Sequence, residues 1–220
     1  FPYTTLFRSK GLGAGPCHTR IDERVEYLSL RLTQAGHLDA LESAIANHQL
    51  AARMQLTVPE LLNLDGETPA TQRLYGLDSD YEPTRTYARQ CLTARRLVER
   101  GVRFVQVYLN GQPWDTHDKN AERLHGLCEM TDQPSAALVM DLKQRGLLEN
   151  TIVLWTGEFG RLPVSQGKDG RDHNRHGFSL WIAGGGFRKG YVHGATDDFG
   201  YRSVTDVVRV SDLHATLLHA

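Results

Sequence analysis

The chain has 220 residues, of which 40% are hydrophobic and 23% charged, and its 25 Lys and Arg nearly balance its 26 Asp and Glu for a net charge of −1. That composition is a folded, globular one rather than a disordered one, and the length suits one domain or a large part of one. It lacks the basic excess with which nucleic-acid binders neutralise phosphates, and no apolar run approaches the roughly 20 residues of a membrane span.

In chain order, Phe1 to Ser9 resembles a translated sequencing-adapter peptide and is set aside from fold reasoning. The terminal run Leu213 to Ala220 follows a helical pattern without a C-cap. The expectation is therefore that residues 10–220 form the C-terminal part of one domain, truncated at both ends. Cys17, Cys91 and Cys128 are widely spaced without a CxxC pair, which predicts neither a zinc ribbon nor a disulfide framework.

Val25, Leu28 and Leu32 recur at helical spacing, as do Leu38, Leu41, Ile45 and Leu50 through Met54. Two antiparallel helices are expected here, the second interrupted at Pro59 and followed by a connecting region from Glu60 to Asp80. His37 and His48 in this part read as surface or boundary residues. From Thr84 to Arg100, Tyr87, Cys91, Ala94 and Val98 form an apolar stripe that Ala88 and Leu92 widen, with Gly101 placed to end the helix. Cys91 falls on the stripe and is expected in the core.

Val102 to Tyr108 alternates and β-branches like a strand, and runs through Asn110-Gly111 into Trp114-Asp115-Thr116-His117. A helix around Ala136 to Leu142 follows, with Pro134 near its first turn and Arg145-Gly146 as its stop. Thr151 to Thr156 and Gly177 to Ala183 read as buried strands, and Ser211 as the N-cap of a terminal helix. Helices alternating with strands in this way predict a parallel sheet with crossover helices, an α/β fold.

The chemistry gathers at strand ends, where α/β proteins bind ligands. Seven of the ten histidines lie at or beyond His117. Three pairings stand beside one another in the pattern: Asp115 with His117, Glu158 with Arg161, and Asp172 with His173. Carboxylates mixed with imidazoles suit zinc, manganese or iron, while carboxylates alone lean to calcium or magnesium. The expected ligands are Asp115, His117, Glu158, Asp172 and His173. Arg161 is read either as a planar contact for an anionic substrate or as a salt-bridge partner of Glu158 on its own loop. His125, His176 and His193 rank below these, and His214 reads as structural. The triplet Gly184-Gly185-Gly186 lacks the GxGxxG spacing of a dinucleotide site.

Taken together, Leu97 to Gln106, Trp114-Asp115-Thr116-His117, Asp141 to Leu148, Gly157-Glu158-Phe159-Gly160-Arg161, Gly170-Arg171-Asp172-His173-Asn174 and Ala183 to Gly186 resemble the DUF1501 family, sulfatase-like proteins of the alkaline phosphatase-like superfamily. The resemblance implies a three-layer α/β/α sandwich with a mostly parallel sheet, of which this chain would be an incomplete copy. It implies divalent metal (zinc, manganese or calcium) held by Asp115, His117, Glu158 and His173, with Asp172 beside them. It also implies hydrolysis of sulfate or phosphate esters, with sulfated polysaccharide as a substrate class and a nucleophile supplied by residues preceding this segment. Export through a twin-arginine signal is implied as well. The superfamily shows Asp-His where this chain has Glu158-Phe159, which implies that one metal position is altered. The alternative reading is a non-catalytic surface or carbohydrate-binding protein that keeps the fold.

Overall fold

The computed structural model describes residues 25–30 and 39–220, so that the adapter-like start, Cys17 and His37 lie outside the described residues. The chain divides into two units, residues 1–63 and 64–220. The first unit contains a helical segment over residues 25–30 and the helix α1, Asp39–Leu62. Pro59 does not end α1, as expected, but sits inside it near the C-terminal end, and the amide of Asn63 still closes onto the Pro59 carbonyl at 3.1 Å.

The second unit opens with a helix in the region expected to be a connection. α2, Pro69–Tyr75, is short but well signalled: Thr68 accepts a capping bond from the Thr71 amide at 3.1 Å, and Pro69 supplies the preset φ of the first turn. α3, Glu82–Glu99, buries the predicted stripe, including Ala88, Cys91 and Leu92. Cys91 is in the core as expected, and burial pushes its thiol up to about 12, which leaves it protonated and unreactive.

α4, Asn120–Gln144, begins well before the helix expected around Ala136. Pro134 lies in its interior rather than at its first turn. The proline is fully buried, so its ring packs into the core while its missing N–H costs one intrahelical bond. α3 and α4 end alike, on Arg100-Gly101 and Arg145-Gly146. In each the glycine takes positive φ (80° and 71°), and the next amide reaches back to the helix, Val102 to Leu97 and Leu147 to Leu142. These bonds satisfy carbonyls that a helix end otherwise leaves open.

Tyr75, Ala88, Cys91, Leu92 and Ala137 form the buried cluster where α2, α3 and α4 meet, with Leu64, Leu74, Leu77, Tyr87 and Leu138 packed around it. Beside it runs a polar seam. The Arg95 side chain, only 3% exposed, pairs with Glu67 at 2.7 Å and with Glu99, and its Nε lies 3.0 Å from Asp141 without hydrogen-bond alignment. Tyr75 donates to Asp141 at 3.1 Å, and Arg145 bonds Asp141 and Glu99, each at 2.7 Å. Burial holds the Tyr75 phenol well above its ordinary value, so it remains a donor.

A 3₁₀ turn, Leu148–Asn150, leads into β1, Ile152–Trp155. β2 is Gly160–Arg161, β3 is His173–Asn174 and β4 is Trp181–Gly184. β5 is Ala195–Thr196 and β6 is Ser203–Thr205, before the exposed helix α5, Val210–His219. The strands form three two-stranded antiparallel ladders, β1–β4, β2–β3 and β5–β6. The parallel sheet expected from the alternation of helices and strands is not what these residues form. Thr151 to Thr156 and Gly177 to Ala183 do contain strands, but these pair antiparallel, Ile152 opposite Gly184 and Trp155 opposite Trp181; no parallel pair occurs among the described residues. Val102 to Tyr108 makes no ladder at all. Its alternation survives as exposure, with Phe104 77% and Tyr108 64% accessible, because no neighbouring strand among the described residues meets its backbone. The helix α5 is also set differently from the Ser211 expectation: Arg209 is the N-cap, and Asp212 accepts the Arg209 amide at 2.9 Å.

Candidate metal centre

Two loops build the site. The first follows the extended run and carries Asp115 and His117 through consecutive tight turns, with the Thr116 amide on the Trp114 carbonyl and that of His117 on Asp115. Thr116 is buried and anchors the turn by donating to Asn120 Oδ1 at 2.6 Å, so α4 begins immediately behind the site. The second joins β2 to β3; Asp172 closes this loop and His173 is the first residue of β3. Backbone bonds clasp the two loops together, Arg171 N to Thr116 O at 2.9 Å and Asn120 N to Asp169 O at 2.8 Å. Gly170 makes the clasp possible. A Cβ there would stand 1.9 Å from the His117 carbonyl oxygen, so only glycine fits.

Asp115 Oδ1 is the centre of the cluster. It lies 2.9 Å from His173 Nε2, 3.1 Å from His117 Nε2 and 2.7 Å from Arg161 Nη1. The two imidazole Nε2 atoms are themselves 3.2 Å apart. The hydrogen bonds from His173 and then Arg161 pull the Asp115 carboxyl down to about 2, so it is ionised at any physiological pH. Both imidazoles are about half exposed, which leaves the cluster open on one side.

Asp172 is turned away from the centre. Its Oδ1 meets His117 Nδ1 at 3.1 Å, and its Oδ2 accepts the Gln166 amide at 2.7 Å, the bond that chiefly holds its carboxyl below the usual range. An ionised carboxylate only accepts, so a neutral His117 that donates from Nδ1 to Asp172 turns its Nε2 lone pair toward Asp115 and His173. Asp115 Oδ1 and the two Nε2 atoms thus surround one point, where a metal ion would replace the protons that now link them.

The separations fit one. Ligands about 2.05 Å from a tetrahedral zinc lie about 3.3 Å from one another. The three observed edges are 3.2, 3.1 and 2.9 Å. Asp115, His117 and His173 are also the one such group of potential ligands among the described residues. Asp172, expected as a ligand, lies outside that group and meets His117 Nδ1 instead, the arrangement usual behind a metal-bound histidine. Asp172→Ala should weaken zinc binding about 10- to 100-fold without unfolding the chain, measurable by competition with a chelating dye.

Glu158, also expected as a ligand, does not join. It is exposed, and the cluster excludes it. Arg161 makes no salt bridge to it either; β2–β3 register sets Arg161 opposite His173 and thus beside Asp115. Phe159, which stands where the superfamily shows His, has its ring 4.3 Å from that of His173 and beneath the Arg161 guanidinium, 5.7 Å away. The sequence marks it as a departure but gives no sign of this packing role. His125 is exposed on α4, His193 contacts Tyr191, and His214 is exposed on α5. His176 stacks on Tyr201 at 5.5 Å.

Fold and cluster together define a mixed helix and strand protein with a candidate two-histidine, one-carboxylate metal centre. The family model described as "Protein of unknown function (DUF1501)" matches residues 16–220, and the chain belongs to that family. No curated protein and no solved structure matches the chain.

Proposed function

We propose that this chain carries the metal-binding part of a hydrolase of sulfate or phosphate esters, with zinc, manganese or calcium as its ion. The observation that carries the reading is a single oxygen, Asp115 Oδ1, shared by two imidazoles and a guanidinium. A divalent ion bound there supplies Lewis-acid polarisation of an ester oxygen and lowers the pKa of a bound water. Asp172 fixes the tautomer of His117, and Phe159 supports both His173 and Arg161. Arg161 provides the planar, permanently charged contact that an anionic ester needs for orientation. With this reading go a three-layer α/β/α sandwich for the whole domain, export from the cytoplasm and sulfated polysaccharide as a substrate class.

The test is metal analysis after loading with each ion in turn, together with turnover of aryl sulfate and aryl phosphate. About one ion per chain is expected, since the cluster offers three of the four ligands a tetrahedral site takes. Asp115→Ala and His173→Ala should lose it. Unchanged metal content in both variants would overturn the assignment.

A second reading, a non-catalytic carbohydrate-binding protein, draws on the tryptophans. Trp155 and Trp181 sit opposite each other on the β1–β4 ladder, 37% and 38% exposed, and Trp114, next to Asp115, meets Trp155 edge-on at 5.8 Å. Such rings offer apolar faces with a polar edge, suited to a sugar. Oligosaccharide binding with no ester turnover under any metal favours this second reading.

A further inference from the structure

Arg161 occupies the oxygen that the metal would need. Its Nη1 is closer to Asp115 Oδ1, at 2.7 Å, than either imidazole nitrogen. Without an ion, the guanidinium is the cation that neutralises Asp115. With an ion at the centre, Asp115 Oδ1 must turn to the metal, and Arg161 loses its strongest partner. It cannot withdraw far. Its backbone is tied opposite His173 in the β2–β3 ladder, its side chain is only about a quarter exposed, and it rests over Phe159. Among the described residues its one other polar contact is the Arg171 carbonyl at 3.4 Å. The guanidinium and the ion are then two adjacent positive charges with one carboxylate between them, and an oxyanion bridging both relieves the repulsion.

We propose that Arg161 and a divalent ion compete for Asp115 Oδ1, so that an oxyanion is held by the two cations together and metal and oxyanion strengthen each other's binding. The inference rests on the metal-centre reading above and adds to it an order of events. The ion releases Arg161 from Asp115, and the released Arg161 completes the anion site. An anion contact that forms only in the metal-loaded protein keeps sulfate and phosphate from occupying the empty centre.

Zinc is titrated calorimetrically into the full chain in chloride buffer and in sulfate buffer of equal ionic strength, with His173→Ala as the control for zinc bound elsewhere. Sulfate should tighten zinc binding about 5- to 150-fold, the usual span of coupling between linked sites, and zinc should tighten sulfate binding by the same factor. Weak pairing of zinc with sulfate in solution works in the opposite sense, so a gain cannot arise from it. Arg161→Gln should bind zinc more tightly than the unsubstituted chain in chloride, and its affinity should no longer respond to sulfate. Equal zinc affinity in the two buffers overturns the coupling while leaving the metal centre standing. Zinc binding that survives unchanged in His173→Ala, or is absent altogether, overturns the metal centre and the coupling with it. If Arg161→Gln fails to fold, the comparison of buffers in the unsubstituted chain still decides the question.

Discussion

Replacing Arg95 by alanine should destabilise the second unit by about 3–5 kcal/mol, the cost of removing one partner from a buried ionic network. Arg95 is 3% exposed and stands among Glu67, Glu99 and Asp141 on three separate segments. Removing it leaves those carboxylates facing one another beside the apolar cluster of Tyr75, Cys91 and Leu92. Arg145 bonds two of them but is itself 37% exposed, so solvent screens much of what it contributes. The midpoint of urea unfolding measures the effect. Glu67→Gln and Glu99→Gln added to Arg95→Met should recover a large part of the loss, because two of the three carboxylates then need no cation and Asp141 keeps Arg145. A loss under about 1 kcal/mol for Arg95→Ala would mean the seam is solvated like a surface pair.

Gly170→Ala should be costly for a different reason. Its new methyl would stand 1.9 Å from the His117 oxygen and 2.3 Å from the carbonyl carbon, and both are backbone. The loops cannot part to make room without breaking the Arg171–Thr116 and Asn120–Asp169 bonds on either side. Overpacking of this kind costs about 1–3 kcal/mol or more. It should also lower zinc affinity, because His117 moves relative to Asp172 and His173. Gly101→Ala is the matching control: its φ is 80° but nothing lies within 4 Å. It should cost only about 1–2 kcal/mol of left-handed backbone strain and leave zinc affinity unchanged. Equal zinc affinity for Gly170→Ala and the unsubstituted chain would detach the clasp from the centre.

What the sequence reveals and conceals here follows from the range of each interaction. α3 is legible because its stripe and its Gly101 stop are local. α2 escapes because about two turns entered through Thr68 and Pro69 are too short to show a periodicity. The first half of α4 is concealed by charged residues and by Pro134, whose buried ring answers to neighbouring helices rather than to propensity. The strands of β1 and β4 are visible as apolar runs, but pairing direction is a tertiary property, and alternation with helices points the wrong way. At the site, Asp115, His117 and His173 can be singled out by residue type and strand-end position. The distinction between ligand and support cannot. Asp172 and Glu158 are both carboxylates at plausible offsets, and only the Gln166 amide and the His117 Nδ1 separate them. Arg161 finds Asp115, far away in sequence, instead of Glu158 three residues off.

Asp115 and His173 are 58 positions apart, one in a loop and the other at the start of β3, and no ladder among the described residues joins their two segments. An ion bound between them therefore acts as a reversible cross-link across that whole span. Like a disulfide closing a long loop, it restricts the unfolded chain more than it adds native contacts, and it does so only under conditions that leave the Nε2 of both imidazoles free of protons. Chelation would then loosen everything from the start of α4 through β3, a stretch whose susceptibility to proteolysis reports whether the staple is in place.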